Sequence, residues 1–220
     1  MSPPEAPQPE APQPETSQPE ISQPERAQPE TPAPDAVVAA PVYSGSQRLV
    51  HWVMAALVIV MVPLGLFMTS IPWEPAPGAN PELKGRLYEL HKSGGLIIFM
   101  LAVTRVLLRL TKGAPPPVAT LTPFERVAST TLHHLLYLLI FIVPLSGWIA
   151  TSMCCPPVNL FWTVPLTLPI SGTLETSQPV YLVHFSAAAL MAFLVIGHIG
   201  AALMHLVVKR DGVFRRMWPS

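Results

Sequence analysis

Four histidines, His51, His91, His184 and His198, each lie in or at the edge of a long apolar run. An ionisable ring is costly in hydrocarbon, so a histidine placed there is a functional candidate by default. His184 and His198 share one run and stand 14 residues apart. On a helix that spacing falls about 40° short of four full turns, so both rings leave nearly one face, about 21 Å apart along the axis. One helix then presents a ligand near each side of a bilayer. If two other helices each supply a partner, the rings converge in twos. Two imidazoles per centre suit an iron porphyrin, which already supplies four nitrogens. Zinc and copper sites want three or four converging side chains, and no carboxylate or thiolate lies at the same depths. Ligation by two imidazoles closes both axial positions, so the chemistry is electron transfer rather than oxygen binding.

The elements that must position these rings are legible in the hydropathy. Half of the chain is hydrophobic and only 12 % is charged. The apolar residues gather in four runs, about 49–69, 90–110, 132–152 and 181–208, each close to the roughly 20 residues needed to cross a membrane. Between them lie Pro72–Gly78, Lys112–Pro117 and Pro156–Pro179, rich in Pro, Gly, Ser or Thr. The third rests partly at the interface through Phe161 and Trp162. Modest connections between four spans predict an all-α fold, an integral-membrane up-down-up-down four-helix bundle. Pro63 and Pro144 fall inside spans, where neighbouring helices make proline tolerable. Gly65, Gly94, Gly95, Gly147, Gly197 and Gly200 permit close approach of helices or of a flat macrocycle, and helix packing accounts for any one of them equally well.

Residues 1–42 form a separate Pro/Gln/Glu-rich segment, with residues 43–220 as the membrane domain. Gln-Pro-Glu recurs every five positions from Gln8, a pattern that predicts an extended, disordered, polyproline-like tail serving as a solvated spacer. It has neither the basic start nor the apolar stretch of a signal peptide. The net charge of zero conceals a tail near −6 and a remainder near +6. Neither is a nucleic-acid footprint. Cys154 and Cys155 are expected as free thiols at a membrane edge, because a bridge between neighbours is strained. No Cys-x-x-Cys-His occurs, so any haem is held without covalent attachment.

Basic residues set the orientation. Arg48, the group Arg105, Arg109, Lys112 and Arg126, and the group Lys209, Arg210, Arg215 and Arg216 fall on one side. On the other side, Lys84, Arg86 and Lys92 face Glu82 and Glu89. The positive-inside rule puts both termini and the 112–130 connection in the cytoplasm. Trp52 and Trp148 sit near span ends as interfacial aromatics do. His91 and His184 then open the two spans that start outside, and they pair by depth. His51 opens span one on the inner side. Its partner on span four is His198 or His205, because seven residues fall only about 20° short of two turns. Depth slightly favours His205, spacing does not separate them, and the choice stays open. His133 and His134 open span three on the inner side as interfacial histidines, and at most one of them faces the bundle centre.

Taken together the motifs carry a resemblance. Arg48-Leu49-Val50-His51-Trp52 opens span one, and His91-Lys92-Ser93-Gly94-Gly95 opens span two, which closes on Thr104-Arg105 and Leu108-Arg109-Leu110. Span three has His133, Tyr137 and Pro144-Leu145-Ser146-Gly147-Trp148. Span four has His184, His198 and Ala201-Ala202-Leu203-Met204-His205, followed by Asp211-Gly212 and Arg216-Met217. From about residue 44 to 218 the chain resembles the bacterial cytochrome b561 family of di-haem transmembrane cytochromes. The resemblance implies two b haems, one on His51 and His198 and the other on His91 and His184. It also implies oxidation of superoxide on the periplasmic side of the inner membrane and reduction of ubiquinone on the cytoplasmic side. On that reading Lys84, Arg86 and Lys92 are the outer cations available to steer an anion. His205, Tyr137 and Arg109 are the inner residues available to quinone, and Arg48 and Arg105 are available to haem propionates. The rival readings are a b-type membrane subunit linking a separate dehydrogenase or hydrogenase to the quinone pool, and a non-redox transporter using histidine as a relay.

Overall fold

A computed structural model describes residues 41–218, so the repeat-tail expectation falls on residues outside the described ones. Four long helices, α1 (Gly45–Ser70), α2 (Pro81–Lys112), α3 (Pro123–Cys154) and α4 (Leu174–Leu203), make up most of the described chain. All four are long and apolar enough to cross a membrane. A π-helical turn, Met204–Lys209, continues α4. The α3–α4 connection carries a small antiparallel hairpin, β1 (Asn159–Leu160) and β2 (Val164–Pro165).

The last three helices begin seven to nine residues before the apolar runs do. Hydropathy marks what lies in lipid, whereas capping chemistry marks where a helix starts. The Asn80 side chain accepts from Leu83 N just ahead of Pro81. Thr122 and Glu125 form a capping box around Pro123, and Thr173 and Thr176 form another. Pro179, expected in the connection, therefore lies inside α4. At the other end of α2, Gly113 takes φ +69° and returns its N–H to Arg109 O, the left-handed stop that glycine supplies without strain.

One small core draws on every helix: Met54, Val58 and Met61 of α1, Ile98 and Ala102 of α2, Leu139 and Ile140 of α3, and Met191 of α4. Ile59, Val60, Phe193 and Ile196 point outward. Such a surface belongs in lipid, where helices associate through packing and polar contacts rather than by hiding apolar area. Gln47, at the start of α1, donates to Leu108 O (3.3 Å) and Gly113 O (2.9 Å) at the end of α2. Glu125 at the start of α3 pairs with Lys209 just beyond α4. Phe99 of α2 meets Trp148 of α3, while Arg105 meets Tyr137. Successive helices therefore run in opposite directions, and the bundle has a termini end and a hairpin end.

The hairpin is fastened to α2 by Ser93, which is fully buried. Its Oγ donates to Asn159 O (3.1 Å) and accepts from Phe161 N (2.9 Å). Ser93→Ala would strand Phe161 N and leave Asn159 O with only the long bond from Trp162 N (3.4 Å). The expected result is destabilisation by about 1–3 kcal/mol, read as a lowered thermal unfolding midpoint in lipid nanodiscs. An unchanged midpoint would count against this clamp.

Cys154 and Cys155 are joined by a disulfide at the C-terminal end of α3, which corrects the expectation of free thiols. The Tyr181 hydroxyl lies 3.8 Å from Cys155 Sγ and 3.9 Å from Cys154 Sγ. Adjacency made the bridge look unfavourable, but Cys155 is the C-cap residue of α3, where the helix has already given way to extended backbone.

Candidate functional site: two imidazole pairs

At the hairpin end, α2 brings His91 and α4 brings His184 together, with ring centres 6.1 Å apart and ring planes at 82°. His184 Nδ1 lies 2.8 Å from Val143 O. A carbonyl only accepts, so Nδ1 is the donor, and Nε2 is the nitrogen left to face a metal. A backbone carbonyl holding the far nitrogen is the usual orienting contact of a metal-binding histidine. The buried His91 Nδ1 has no hydrogen-bond partner among the described residues. Each ring rests on a glycine of a neighbouring helix. A Cβ at Gly65 would stand 3.0 Å from His91 Cε1, and one at Gly147 would stand 2.9 Å from His184 Nδ1. Sequence reasoning named six glycines without choosing among them; the structure puts these two against the rings.

At the termini end, His51 of α1 faces His198 of α4, ring centres 6.3 Å apart and planes at 76°. His133 also reaches His198, at 5.2 Å, and its Nδ1 is held by Ser129 O at 2.6 Å. His205 takes no part in this pair. It sits on the π-helical turn, with Nδ1 2.6 Å from Asp211 Oδ2 and both side chains nearly buried. The π turn begins only at Met204, so helical phase does not separate His198 from His205; their different partners do. His205, Leu206, Arg210, Gly212, Phe214 and Arg215 line a cavity of about 380 Å³.

The residues expected to handle substrate are placed less uniformly. Lys84 is 2 % exposed, donates to Ile71 O at 2.5 Å, and lies 3.8 Å from the centre of the Trp73 ring. Lys92 pairs with Glu89 and donates to Pro157 O. Only Arg86 is well exposed, and Glu82 pairs with it at 2.7 Å. Of the three candidate steering cations, Lys84 and Lys92 fasten connections to the bundle, and Arg86 is balanced locally by Glu82. Tyr137 lies under Arg105, whose guanidinium carbon is 5.4 Å from the ring centre. Arg109 is exposed on α2. The cavity at His205 includes neither Tyr137 nor Arg109 among its lining residues. Asp211, the partner of His205, was visible in the sequence only as part of a motif, with no signal for its contact.

A family model described as prokaryotic cytochrome b561 matches residues 42–220. The chain belongs to the prokaryotic cytochrome b561 family. Among its curated relatives, cytochrome b561 homolog 2 of Escherichia coli K12 is 31 % identical over 76 % of this chain and 86 % of its own length. A probable superoxide oxidase CybB of Yersinia pestis is 28 % identical over 81 % of this chain and 96 % of that one. A cytochrome b562 of Cereibacter sphaeroides is 29 % identical over 80 % and 95 %. This b561 cytochrome is thus a bacterial membrane protein of electron transport, with b-type haem as its cofactor.

The residues of the cytochrome fit that group. Two metal–imidazole bonds of about 2.0–2.1 Å, plus about 1.1 Å from each nitrogen to its ring centre, put opposed rings about 6.3 Å apart. The two pairs stand at 6.1 and 6.3 Å. His133 and His198, at 5.2 Å, are about an ångström too close to grip one iron from opposite sides. Among the described residues no three His, Cys, Asp or Glu side chains form a metal-holding group. The donor set therefore suits a metal that arrives with its other ligands.

Proposed function

We propose that this b561 cytochrome carries two b haems and moves electrons across the bacterial inner membrane, from superoxide on the periplasmic side to ubiquinone on the cytoplasmic side. His91 and His184 hold one haem, and His51 and His198 hold the other. The observation that carries the reading is the pair of imidazole couples, both near 6.2 Å, at opposite ends of one bundle. A haem held by either pair would supply one-electron transfer.

The chain's own residues supply the rest. Val143 O fixes the tautomer and aim of His184. Gly65 and Gly147 leave room for the rings that α2 and α4 turn inward. At the termini end, quinone reduction needs protons as well as electrons. His205 and Asp211 hold one between Nδ1 and Oδ2 beside the cavity. Arg210 and Arg215 of the same lining favour a reduced, anionic headgroup. Tyr137 and Arg109 drop out of this assignment because neither lines that cavity. The basic residues gathered at the termini end support a cytoplasmic location for it. The likeness to a probable superoxide oxidase supports the choice of donor.

The test uses purified protein in nanodiscs containing ubiquinone. Haem quantitation with a reduced-minus-oxidised spectrum is expected to give two low-spin b haems per chain. An anaerobic superoxide pulse is expected to reduce the quinone. A haem-loaded protein indifferent to superoxide would move the donor to a partner dehydrogenase or hydrogenase. A protein that stays colourless under adequate haem supply would end the reading.

A further inference from the structure

The hairpin between α3 and α4 has a tip that ordinary turn chemistry does not explain. Leu160 O accepts from Thr163 N (3.1 Å), and the two central residues of that turn, Phe161 and Trp162, have φ of 45° and 64°. Two successive positive φ values mark the turn in which Asn-Gly sits without strain, whereas bulky side chains there are outliers. The backbone is forced into this shape from inside, by Ser93 Oγ bridging Asn159 O and Phe161 N. About half of each residue still faces outward: Phe161 is 47 % exposed and Trp162 is 55 % exposed. Strain kept at an exposed aromatic pair points to something outside that takes up the rings.

The chemistry of the segment selects what that is. From Pro156 to Thr173 there is no Asp, Glu, Lys, Arg or His. A water-soluble partner recognised through charge finds nothing there to complement. Much of the hairpin's backbone is paired, with Leu166 N donating to Val158 O (2.7 Å), Thr163 Oγ1 to Leu160 O (2.7 Å), and Ser93 holding Asn159 O and Phe161 N. Each such pairing lowers the cost of leaving water. It lies at the end of the bundle where α4 opens with the exposed Leu182, Val183 and Phe185, so its apolar surface belongs to the same end as a lipid-facing band. Trp and Phe favour the boundary between headgroups and acyl chains, where the indole N–H stays wet and the rings leave water.

We infer that the Phe161–Trp162 tip is a rigid interfacial anchor that seats in the lipid headgroup region. Because Ser93 ties the same hairpin to α2 two residues from His91, the anchor holds that helix at a set depth in the bilayer.

The experiment uses the full-length, haem-loaded protein in phosphatidylethanolamine/phosphatidylglycerol nanodiscs. Trp162 is replaced by the photoreactive p-benzoylphenylalanine, illuminated, and the products are weighed by mass spectrometry. The expected product is the chain plus one phospholipid. The same probe at Arg86, whose side chain is 68 % exposed, is expected to give no lipid adduct. A covalent dimer, or no adduct at Trp162, would overturn the inference in favour of a second copy or of an aqueous or protein-covered tip. A second arm carries Phe161→Asn with Trp162→Gly, the pair this turn accepts without strain, so the hairpin still closes. With the probe at Val164, the lipid adduct is expected to fall at least ~fivefold in that double variant. An unchanged yield would overturn the assignment of the two rings as the anchor.

Discussion

Replacing His91 by alanine is expected to halve the haem content, leaving one b haem per chain where the parent holds two. The ring centres of His91 and His184 are 6.1 Å apart and address one centre, so His184→Ala should remove the same haem. The double variant should then lose no more than either single one, as expected when two residues share a partner. Loss of a mere orienting contact already lowers metal affinity about 10–100-fold, so loss of the ligand should slow superoxide-driven quinone reduction by more than ~100-fold. At the termini end the informative contrast is between His198→Ala and His205→Ala. The first should remove the other haem, because His198 faces His51. The second should keep both haems and impair quinone reduction, because His205 is engaged by Asp211. Two full low-spin haems in His91→Ala would sink the pairing, whatever happened to activity.

Gly147→Leu should abolish haem binding at the hairpin end, and Gly147→Ala should weaken it. A Cβ at this position stands 2.9 Å from His184 Nδ1 and 3.0 Å from Cε1, closer than real contacts allow. The ring must shift, and the shift acts on the contact with Val143 O that sets its aim. Disturbing such a contact is expected to lower haem affinity about tenfold or more. The sign of the competing effect makes the test clean. Glycine to alanine inside a helix stabilises that helix by about 0.8–1.0 kcal/mol, so a loss of haem would not come from a weakened α3. Gly85→Ala is the control, since a Cβ there meets nothing within 4 Å. It should leave haem content unchanged. Haem titration of the protein purified without cofactor, followed at the Soret band, measures all three variants. Full affinity in Gly147→Ala would show that the ring has room the structure denies it.

The bundle and its paired histidines were legible because both rest on local periodicity. Hydropathy over about 20 residues marks a span. A separation of 14 residues puts His184 and His198 near one face by helix geometry alone. Opposite spans then bring His91 level with His184 once the runs are laid side by side. Other features depend on contacts that no local pattern encodes. The choice between His198 and His205 turned on contacts across the bundle, where His51 and His133 meet His198 while His205 is engaged by Asp211. Gly65 and Gly147 became distinct from four other glycines only when rings from neighbouring helices came to rest on them.

By itself the sequence determined that four apolar spans exist, that they carry histidines at two depths, and that the connection before α4 is uncharged. Only the tertiary structure decided which imidazoles face each other, that Lys84 and Lys92 are spent on fastening connections rather than on an open charged surface, and that Cys154 and Cys155 are bridged. The division has one physical cause. Partition into lipid and helical phase add up along the chain. A side chain's partner is chosen by whichever helix, turn or carbonyl packing brings within a few ångströms, and that is settled across the bundle.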